Sequence, residues 1–265
     1  MNCIIIVDGS NLLFQMHYGM PHPIFASDGH PIQGVIGFIG ALLKILGMTE
    51  ASHCAIVFDG EHENPRALID AAYKANRPAL GEDNPFTQLS DIYRALDQLC
   101  IPHAETVDCE ADDWMASMAL LKAPDDQIII SSFDSDLFQL LAPGVSILRY
   151  RGKKTAIWTA DTLWQKLGIR ACQYAAFKAL TGDPSDNIKG IRGVGPKTAA
   201  RILGSCCFEE ALDRLYPLEK DRIMTNLSII ELDSSCKAPF TLDEMRLPSP
   251  LPKTREVLAS IGLDY

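Results

Sequence analysis

The stretch CIIIVDG, residues 3–9, combines a run of strand-forming residues with an acidic side chain and a glycine. Consecutive Ile and Val residues are typical of strands in a parallel sheet that is covered on both faces. CAIVFDG at 54–60 repeats the pattern, and QIIISS at 127–132 supplies a third apolar run. Because the carboxyl ends of parallel strands share one edge of the sheet, we expect Asp8 and Asp59 to lie at that edge.

Helical patterns alternate with strands along the first 160 residues. The predicted strands are 3–7, 54–58, 101–107 and 127–131, and the predicted helices are about 34–47, 88–99, 111–122 and 135–141. Alternation of this kind predicts an α/β fold with a doubly wound parallel sheet. A hairpin-like pair follows at 149–158, and the pattern is then wholly helical over 160–167, 171–181, 196–203, 208–215 and about 219–232, with a last short helix. We therefore expect an α/β domain over 1–160 and a helical region over 161–265.

Nine carboxylates follow the apolar runs or stand on the loops and helices that come next. They are Asp8, Asp59, Glu110, Asp112, Asp113, Asp134, Asp136, Asp183 and Asp186. Each has a local alternative explanation, because Asp before Gly is common in turns and acidic residues cap helix N-termini. Together they would repel one another strongly unless cations lay among them. The pattern therefore predicts a site for more than one metal ion.

The ligand chemistry of this predicted site is oxygen alone. All six histidines precede residue 104, and they show no H-x-x-x-H spacing. The eight cysteines contain no C-x-x-C pair, which favours reduced thiols over a zinc site or disulfides. Carboxylate oxygens select hard cations, so we expect Mg²⁺, with Mn²⁺ as a substitute.

The formal net charge of −10 argues at first against a nucleic-acid partner. Without the nine clustered carboxylates, however, 25 acidic residues remain against 24 basic ones. The acidic balance therefore reflects the predicted site more than the surface. The chain lacks an apolar run of membrane-spanning length and a basic N-terminal leader, so we expect a soluble, unexported, cytoplasmic protein that does not bind membranes.

The segment GDPSDNIKGIRGVGPKTAARILG, residues 182–204, has the apolar spacing of two short helices around a glycine-rich hairpin. Gly193 and Gly195 allow backbone N–H groups to converge on an anion, and Pro196 suits the first position of a helix, with Lys197 next. Such a hairpin grips a phosphodiester backbone without reading bases. A nucleotide-binding P-loop is disfavoured, because Pro196 precedes the Lys and no strand leads into the loop. A packed hairpin without a ligand is the other alternative.

Residues 60–87 join a strand to a helix over a length that is unusual for a βα loop. The segment contains Arg66, Tyr73, Lys74 and Arg77. Lys74 and Arg77 share one face if the segment is helical, with Tyr73 beside them as a surface on which a base could stack. A solvated amphipathic helix is the alternative, since acidic residues outnumber basic ones here.

Six motifs carry a resemblance to a known family: VDGSNLLF (7–14), FDG (58–60), AYKANRP (72–78), CEADD (109–113), DSDLFQLL (134–141) and LTGDPSDNIKGIRGVGPKTA (180–199). In their order and spacing, the chain resembles the 5′ nuclease superfamily, specifically the 5′-3′ exonuclease or flap endonuclease domain found in bacteria and phages. That domain occurs alone or at the N-terminus of DNA polymerase I. The resemblance implies a PIN-like fold with a helix-three-turn-helix at about 182–204, and a free-standing nuclease.

The resemblance also implies roles for individual residues. It surrounds a first metal ion with Asp8, Asp59, Glu110, Asp112, Asp113 and Asp134, and a second with Asp136, Asp183 and Asp186. It makes Lys74 and Arg77 a catalytic basic pair at the base of an arch over residues 60–87. The residues predicted to contact DNA are Arg66, Tyr73, Gly190, Gly193, Val194, Gly195, Lys197 and Thr198, with a K⁺ ion at the hairpin.

The predicted function is two-metal hydrolysis of DNA phosphodiesters near 5′ ends, flaps or junctions between single-stranded and duplex DNA. A PIN-like ribonuclease and a noncatalytic DNA-junction binder are the alternatives. Nothing in the sequence indicates a dedicated protein partner.

Overall fold

A six-stranded sheet forms the centre of the α/β part of the chain in the computed structural model, which describes residues 2–77, 81, 83–205 and 207–263. Its strands are β1 (Cys3–Asp8), β2 (His53–Phe58), β3 (His103–Glu105), β4 (Gln127–Ser131), β5 (Val145–Arg149) and β6 (Ala156–Trp158). They are ordered β3-β2-β1-β4-β5-β6, and only β6 runs antiparallel to its neighbour. Residues 78–80 and 82 of the predicted arch, together with residues 1, 206, 264 and 265, lie outside the described part.

Eleven α-helices are formed by the described residues. They are α1 (Gly9–Gly19), α2 (Gln33–Thr49), α3 (Pro65–Ile69), α4 (Leu89–Gln98), α5 (Ala111–Ala119), α6 (Ala160–Leu167), α7 (Tyr174–Thr181), α8 (Pro196–Ser205), α9 (Phe208–Leu215), α10 (Lys220–Ile230) and α11 (Thr254–Ser260). Short 3₁₀ turns lie at Pro85–Gln88, Asp136–Leu140, Gly152–Lys154 and Ala171–Gln173.

Alternate residues of β1 face two separate cores, as a strand buried on both faces requires. Ile5 and Val7 pack with α1, α2, α4 and α11 on one face of the sheet. Ile4 and Ile6 pack with α5 and the C-terminal helices on the other face. The predicted α/β fold with a mostly parallel sheet and a C-terminal helical region is thereby confirmed.

Several element predictions need correction. α1 was not predicted, because VDGSN resembles a turn; in the structure the Asp8 carboxylate accepts a hydrogen bond from the Asn11 N–H at 2.9 Å and caps this helix. The strand predicted over 101–107 is limited to the three residues of β3, and the helix predicted over 135–141 is a 3₁₀ turn. The errors at α1 and at the 3₁₀ turn lie at the carboxyl edge, whereas the strand predicted over 101–107 is shortened at both ends.

The C-terminal region is not wholly helical. A two-stranded ribbon, β7 (Gly182–Asp183) with β8 (Ile188–Lys189), replaces the first of the two helices predicted in 182–204. Gly190 permits this packing, because a Cβ atom there would lie 2.2 Å from the carbonyl carbon of Thr181. The hairpin therefore connects α7 to α8. Among the described residues, no helix has the length and apolar character needed to cross a membrane.

Candidate functional site

A cavity of about 620 Å³ opens at the carboxyl edge of the sheet. Five of the nine predicted metal ligands line it: Asp8, Asp59, Glu110, Asp112 and Asp134. Lys74 and Arg77, the predicted basic pair, line the same cavity. The structure therefore brings together side chains from four strand ends and from the arch segment.

Hydrogen bonds around β1 and β4 position the carboxylates. The Ser132 hydroxyl donates to Asp8 Oδ2 at 2.7 Å, while Asp8 Oδ1 caps α1. The N–H of Asp134 donates to the same Ser132 hydroxyl at 2.9 Å. On β2, the N–H of Asp59 donates to the Ser10 hydroxyl at 3.0 Å. Asp8 and Asp59 are thus held at the cavity by serines that follow a neighbouring strand, and Asp134 by a serine that follows its own strand.

The electrostatics of the cavity favour added positive charge. Burial, followed by repulsion from Asp59, raises the pKa of Asp8 to about 7. Burial together with repulsion from Asp134 and Asp8 raises the pKa of Asp112 well above its usual value. Crowded carboxylates of this kind bind protons unless a metal cation neutralises their charge instead. The all-oxygen donor set therefore fits hard divalent cations.

A second acidic cluster consists of Asp136, Asp183 and Asp186. One carboxylate oxygen from each lies within 4.8 Å of the others. Lys178, a residue that our sequence analysis did not select, reaches into this cluster from α7. Its ammonium group lies 2.5 Å from Asp136 Oδ1 and also contacts Asp183 Oδ2.

Lys178 affects these two acids unequally. The pKa of Asp183 lies below its usual value despite burial, because Lys178 donates a hydrogen bond to its carboxylate. The pKa of Asp136 is nevertheless raised to about 7, because burial outweighs the attraction of Lys178. The lysine therefore neutralises the cluster only in part.

The base of the arch segment docks on the second cluster. Arg77 lines the first cavity, and its guanidinium donates to Asp186 Oδ1 at 2.7 Å. The N–H of Lys74 donates to the backbone carbonyl of Asp186 at 3.0 Å, and the Lys74 ammonium contacts Glu110. Lys74 has a φ of 55°, an unusual value for a residue with a side chain, and this docking holds it there. The basic pair thus joins the two acidic groups.

Three predicted site residues lie elsewhere. Asp113 points away from the cavity and accepts hydrogen bonds from both terminal nitrogens of Arg66, at 2.7 and 2.9 Å. Arg66 is 8% exposed, so it does not present its charge to a DNA backbone. Tyr73 is also 8% exposed and donates its hydroxyl to Glu110, so its ring offers no stacking surface. The sequence pattern could not distinguish these inward-facing side chains from their exposed neighbours.

Some of the hairpin residues predicted to contact DNA are packed in the protein interior, and others are exposed. Val194 is buried in the core and Gly190 packs against the end of α7. Gly193 is exposed with a φ of 82°, whereas Gly195 does not adopt a positive φ. Lys197 is exposed in the first turn of α8, and Thr198 next to it is half-buried.

Two family profiles together match almost the whole chain. The N-terminal resolvase-like domain of the 5′-3′ exonucleases matches residues 3–168, and their C-terminal SAM fold matches residues 169–253. The chain belongs to the 5′-3′ exonuclease family. The predicted family resemblance is thereby confirmed.

Curated members of the 5′-3′ exonuclease family include bacterial DNA polymerases. DNA polymerase I of Thermus aquaticus is 34% identical over 234 residues, which cover 86% of this chain and 27% of the polymerase. DNA polymerase I of Deinococcus radiodurans is 31% identical over 201 residues, covering 76% of this chain and 20% of that protein. The chain thus spans about a quarter of the length of these relatives.

Solved structures share the fold of this 5′-3′ exonuclease family member. T5 5′-exonuclease with bound zinc has a TM-score of 0.71 at 19% identity, covering 98% of both chains. The catalytic core of Rad2 in complex with a DNA substrate has a TM-score of 0.60 at 17% identity, covering 97% of this chain and 87% of that one. At these identities, the likeness describes the fold.

The raised pKa values predict how the metal-free protein of this family responds to pH. Because the pKa of Asp8 and that of Asp136 lie near 7 in the folded state, protonation stabilises the fold fully below about pH 4. This stabilisation is lost as the pH rises through 7. Glu110 and Asp183 have lowered pKa values, so their ionised forms stabilise the fold, and this stabilisation is lost only as the pH falls below about 4.

In EDTA, the melting temperature should therefore fall between pH 5.5 and 8.5, and Mg²⁺ should restore it at pH 8.5. The variant Asp8→Asn should show a shallower fall and a higher melting temperature at pH 8.5 than the wild type. Histidine titration is common to both proteins and cancels in the comparison. Equal pH slopes for the two proteins would contradict the crowding argument.

Proposed function

We propose that the chain is a metal-dependent 5′ nuclease that hydrolyses DNA phosphodiesters at or near 5′ ends, flaps or single-strand/duplex junctions. The observation that carries this proposal is the convergence of five carboxylates and a basic pair on one cavity, next to a three-carboxylate cluster. Family membership supports nuclease chemistry, and so do the zinc bound to T5 5′-exonuclease and the DNA substrate bound to the catalytic core of Rad2.

Asp8, Asp59, Glu110, Asp112 and Asp134 would hold a first divalent ion, and Asp136, Asp183 and Asp186 a second. Such ions, when bound, activate water and stabilise the charge of the phosphodiester during hydrolysis. Mg²⁺ is the ion we propose, with Mn²⁺ as a substitute, because the donors are carboxylate oxygens alone. The K⁺ ion at the α7–α8 hairpin stays a prediction of the family resemblance.

The chain's own cations would orient the scissile phosphate. The Lys74 ammonium and the Arg77 guanidinium border the cavity, each beside a carboxylate. A phosphate that entered the cavity would compete for these donors, and its developing charge would be neutralised by them. The exposed Lys197 side chain and first turn of α8 would hold duplex backbone at a fixed distance from the acids.

A cleavage assay with a labelled 5′-flap DNA tests the proposal. We expect shortened products with Mg²⁺, no products with EDTA, and little cleavage of an RNA flap of the same sequence. Preferential cleavage of the RNA would favour a PIN-like ribonuclease. Tight binding in EDTA, with no turnover after Mg²⁺ is restored, would instead identify a noncatalytic junction binder.

A further inference from the structure

The last residue of β5 and the turn between β5 and β6 carry four cationic side chains to which the proposed function gives no role. Arg149 is partly buried, and its guanidinium lies 4.7 Å from the ring centroid of Phe138. Arg151, Lys153 and Lys154 are exposed, and none forms an ion pair with another described residue. No acidic residue occurs between Asp136 and Asp161, so the turn itself contains no neutralising charge.

A second cavity, of about 290 Å³, lies against this turn. Its lining consists of Asn11, Phe14, Gln15, Phe133 and Arg151. Asn11 and Phe14 also line the carboxylate cavity, so the two cavities are neighbours. Phe133 directly precedes the predicted ligand Asp134 in the chain. A ligand in the second cavity would therefore lie next to the proposed metal centre.

Three elements are joined by hydrogen bonds to form this second cavity. Gln15 of α1 donates its side-chain N–H to the carbonyl oxygen of Tyr150 at 2.6 Å. The N–H of Phe133 donates to the Asn11 side-chain oxygen at 3.1 Å. The N–H of Arg151 donates to the Thr155 hydroxyl at 3.0 Å and fixes the turn. Hydrogen bonds between these elements therefore fix the walls of the cavity.

The donors of this cavity suit an anionic ligand with a flat ring. The Arg151 guanidinium lies 5.6 Å from the ring centroid of Phe133, and apart from this ring it has no partner among the described residues. The Asn11 side-chain amide nitrogen likewise has no hydrogen-bond acceptor among the described residues. Guanidinium groups bind phosphates, and aromatic rings stack on bases.

We propose that the second cavity binds a single nucleotide of the DNA strand beside the cleaved phosphodiester. Its phosphate lies at Arg151, and its base packs on the ring of Phe133. At about 290 Å³ the cavity is near the lower end of ligand-pocket volumes, which suits one nucleotide better than a duplex. This inference rests on the proposed nuclease function and adds to it a binding subsite that also sets the position of the strand.

Binding without turnover tests this subsite. The affinity of Arg151→Gln for a fluorescent 5′-flap DNA is measured by anisotropy in EDTA at 0.1 to 0.5 M salt. Because one phosphate contact on a single strand contributes a slope of about −0.7 to log K against log salt, its loss weakens binding about fivefold at 0.1 M salt. The salt slope becomes shallower by about the same 0.7. Phe133→Leu weakens binding at all salt concentrations, since stacking is not screened.

Arg255→Gln is the matched control. Arg255 is an exposed arginine of α11 without an ion pair among the described residues, and it borders neither cavity. Melting temperatures equal to that of the wild type establish that the variants are folded. Wild-type affinity and salt slope in Arg151→Gln, or an equal loss in Arg255→Gln, would overturn the subsite. A failure of the wild type to cleave DNA would overturn the nuclease proposal alone, because the binding assay needs no cleavage.

Discussion

Replacing Asp134 by Asn, or Asp183 by Asn, is expected to lower Mg²⁺-dependent cleavage of a 5′-flap DNA by more than ~100-fold. Residues that only orient a metal ligand already cost 10–100-fold when they are changed, so loss of a proposed ligand should cost more. The amide has the shape of the carboxylate but lacks its charge. Single-turnover cleavage rates at saturating enzyme measure the effect without interference from product release.

The two substitutions should differ in stability, which separates chemistry from folding. Asp134 belongs to the crowded first cavity, so Asp134→Asn should leave the metal-free melting temperature unchanged or raise it. Asp183 accepts a hydrogen bond from Lys178, so Asp183→Asn should lower the melting temperature. Loss of activity in both variants, despite different stability changes, would assign the loss to the site.

Asp233 provides a matched control for Asp183. Both carboxylates accept hydrogen bonds from the N–H and the hydroxyl of a serine two residues later, Ser185 in one case and Ser235 in the other. Asp233 lines neither the carboxylate cavity nor the second cluster. Asp233→Asn should therefore keep its cleavage rate. Wild-type rates in both Asp134→Asn and Asp183→Asn would remove the two-metal assignment.

Strand-end acids were predictable because parallel-sheet geometry is simple. An apolar run followed by Asp places the carboxylate at the shared edge whatever the rest of the fold does, which is why Asp8 and Asp59 line one cavity. Capping was less predictable. The Asp8 carboxylate both caps α1 and borders the cavity, so a capping role does not exclude a role in the site.

Long-range partners could not be predicted. Lys178 lies in a helix whose sequence, YAAFKALT, gives no sign that its one cation turns inward. Its two carboxylate partners, Asp136 and Asp183, are brought to it by packing of the C-terminal region against the sheet. Likewise, Asp112 and Asp113 are adjacent in CEADD but line two different cavities. Helical rotation, rather than residue type, decides which of the two reaches the cavity.

Arg66→Ala is expected to destabilise the fold by about 3–5 kcal/mol, the usual cost of removing one partner from a buried ion pair. The Arg66 side chain is 9% exposed and contacts two carboxylates, those of Glu110 and Asp113. It also donates to the backbone carbonyls of Ile229 at 2.7 Å and Glu231 at 3.2 Å. Its removal leaves two backbone carbonyls without a donor and the buried Asp113 carboxylate without a cation, while Glu110 keeps only Lys74 as its cationic partner.

Urea unfolding measures this change in the free energy of unfolding, because a shift of the urea midpoint at a constant m-value reports a change in stability. Arg77→Ala is the matched control, because the Arg77 side chain is 54% exposed and pairs with a single carboxylate, that of Asp186. Asp186 is itself buried, so loss of this half-exposed pair should cost more than the ~1 kcal/mol of a fully exposed pair but less than the loss of Arg66. The two arginines lie eleven positions apart in one segment, so the comparison contrasts a buried cation that pairs with two carboxylates and a half-exposed cation that pairs with one.

The same measurement decides between two roles for Arg66. A DNA contact, as the sequence pattern indicated, would lower affinity for flap DNA while leaving the unfolding midpoint unchanged. The structure instead makes Arg66 the connection between Glu110 at the cavity and the C-terminal end of α10, so stability should fall first. Activity should then be lost through displacement of Glu110, and Arg66→Lys should recover little of it, because one ammonium cannot reproduce the paired geometry of a guanidinium. An unchanged midpoint with weakened DNA binding would return Arg66 to the DNA surface.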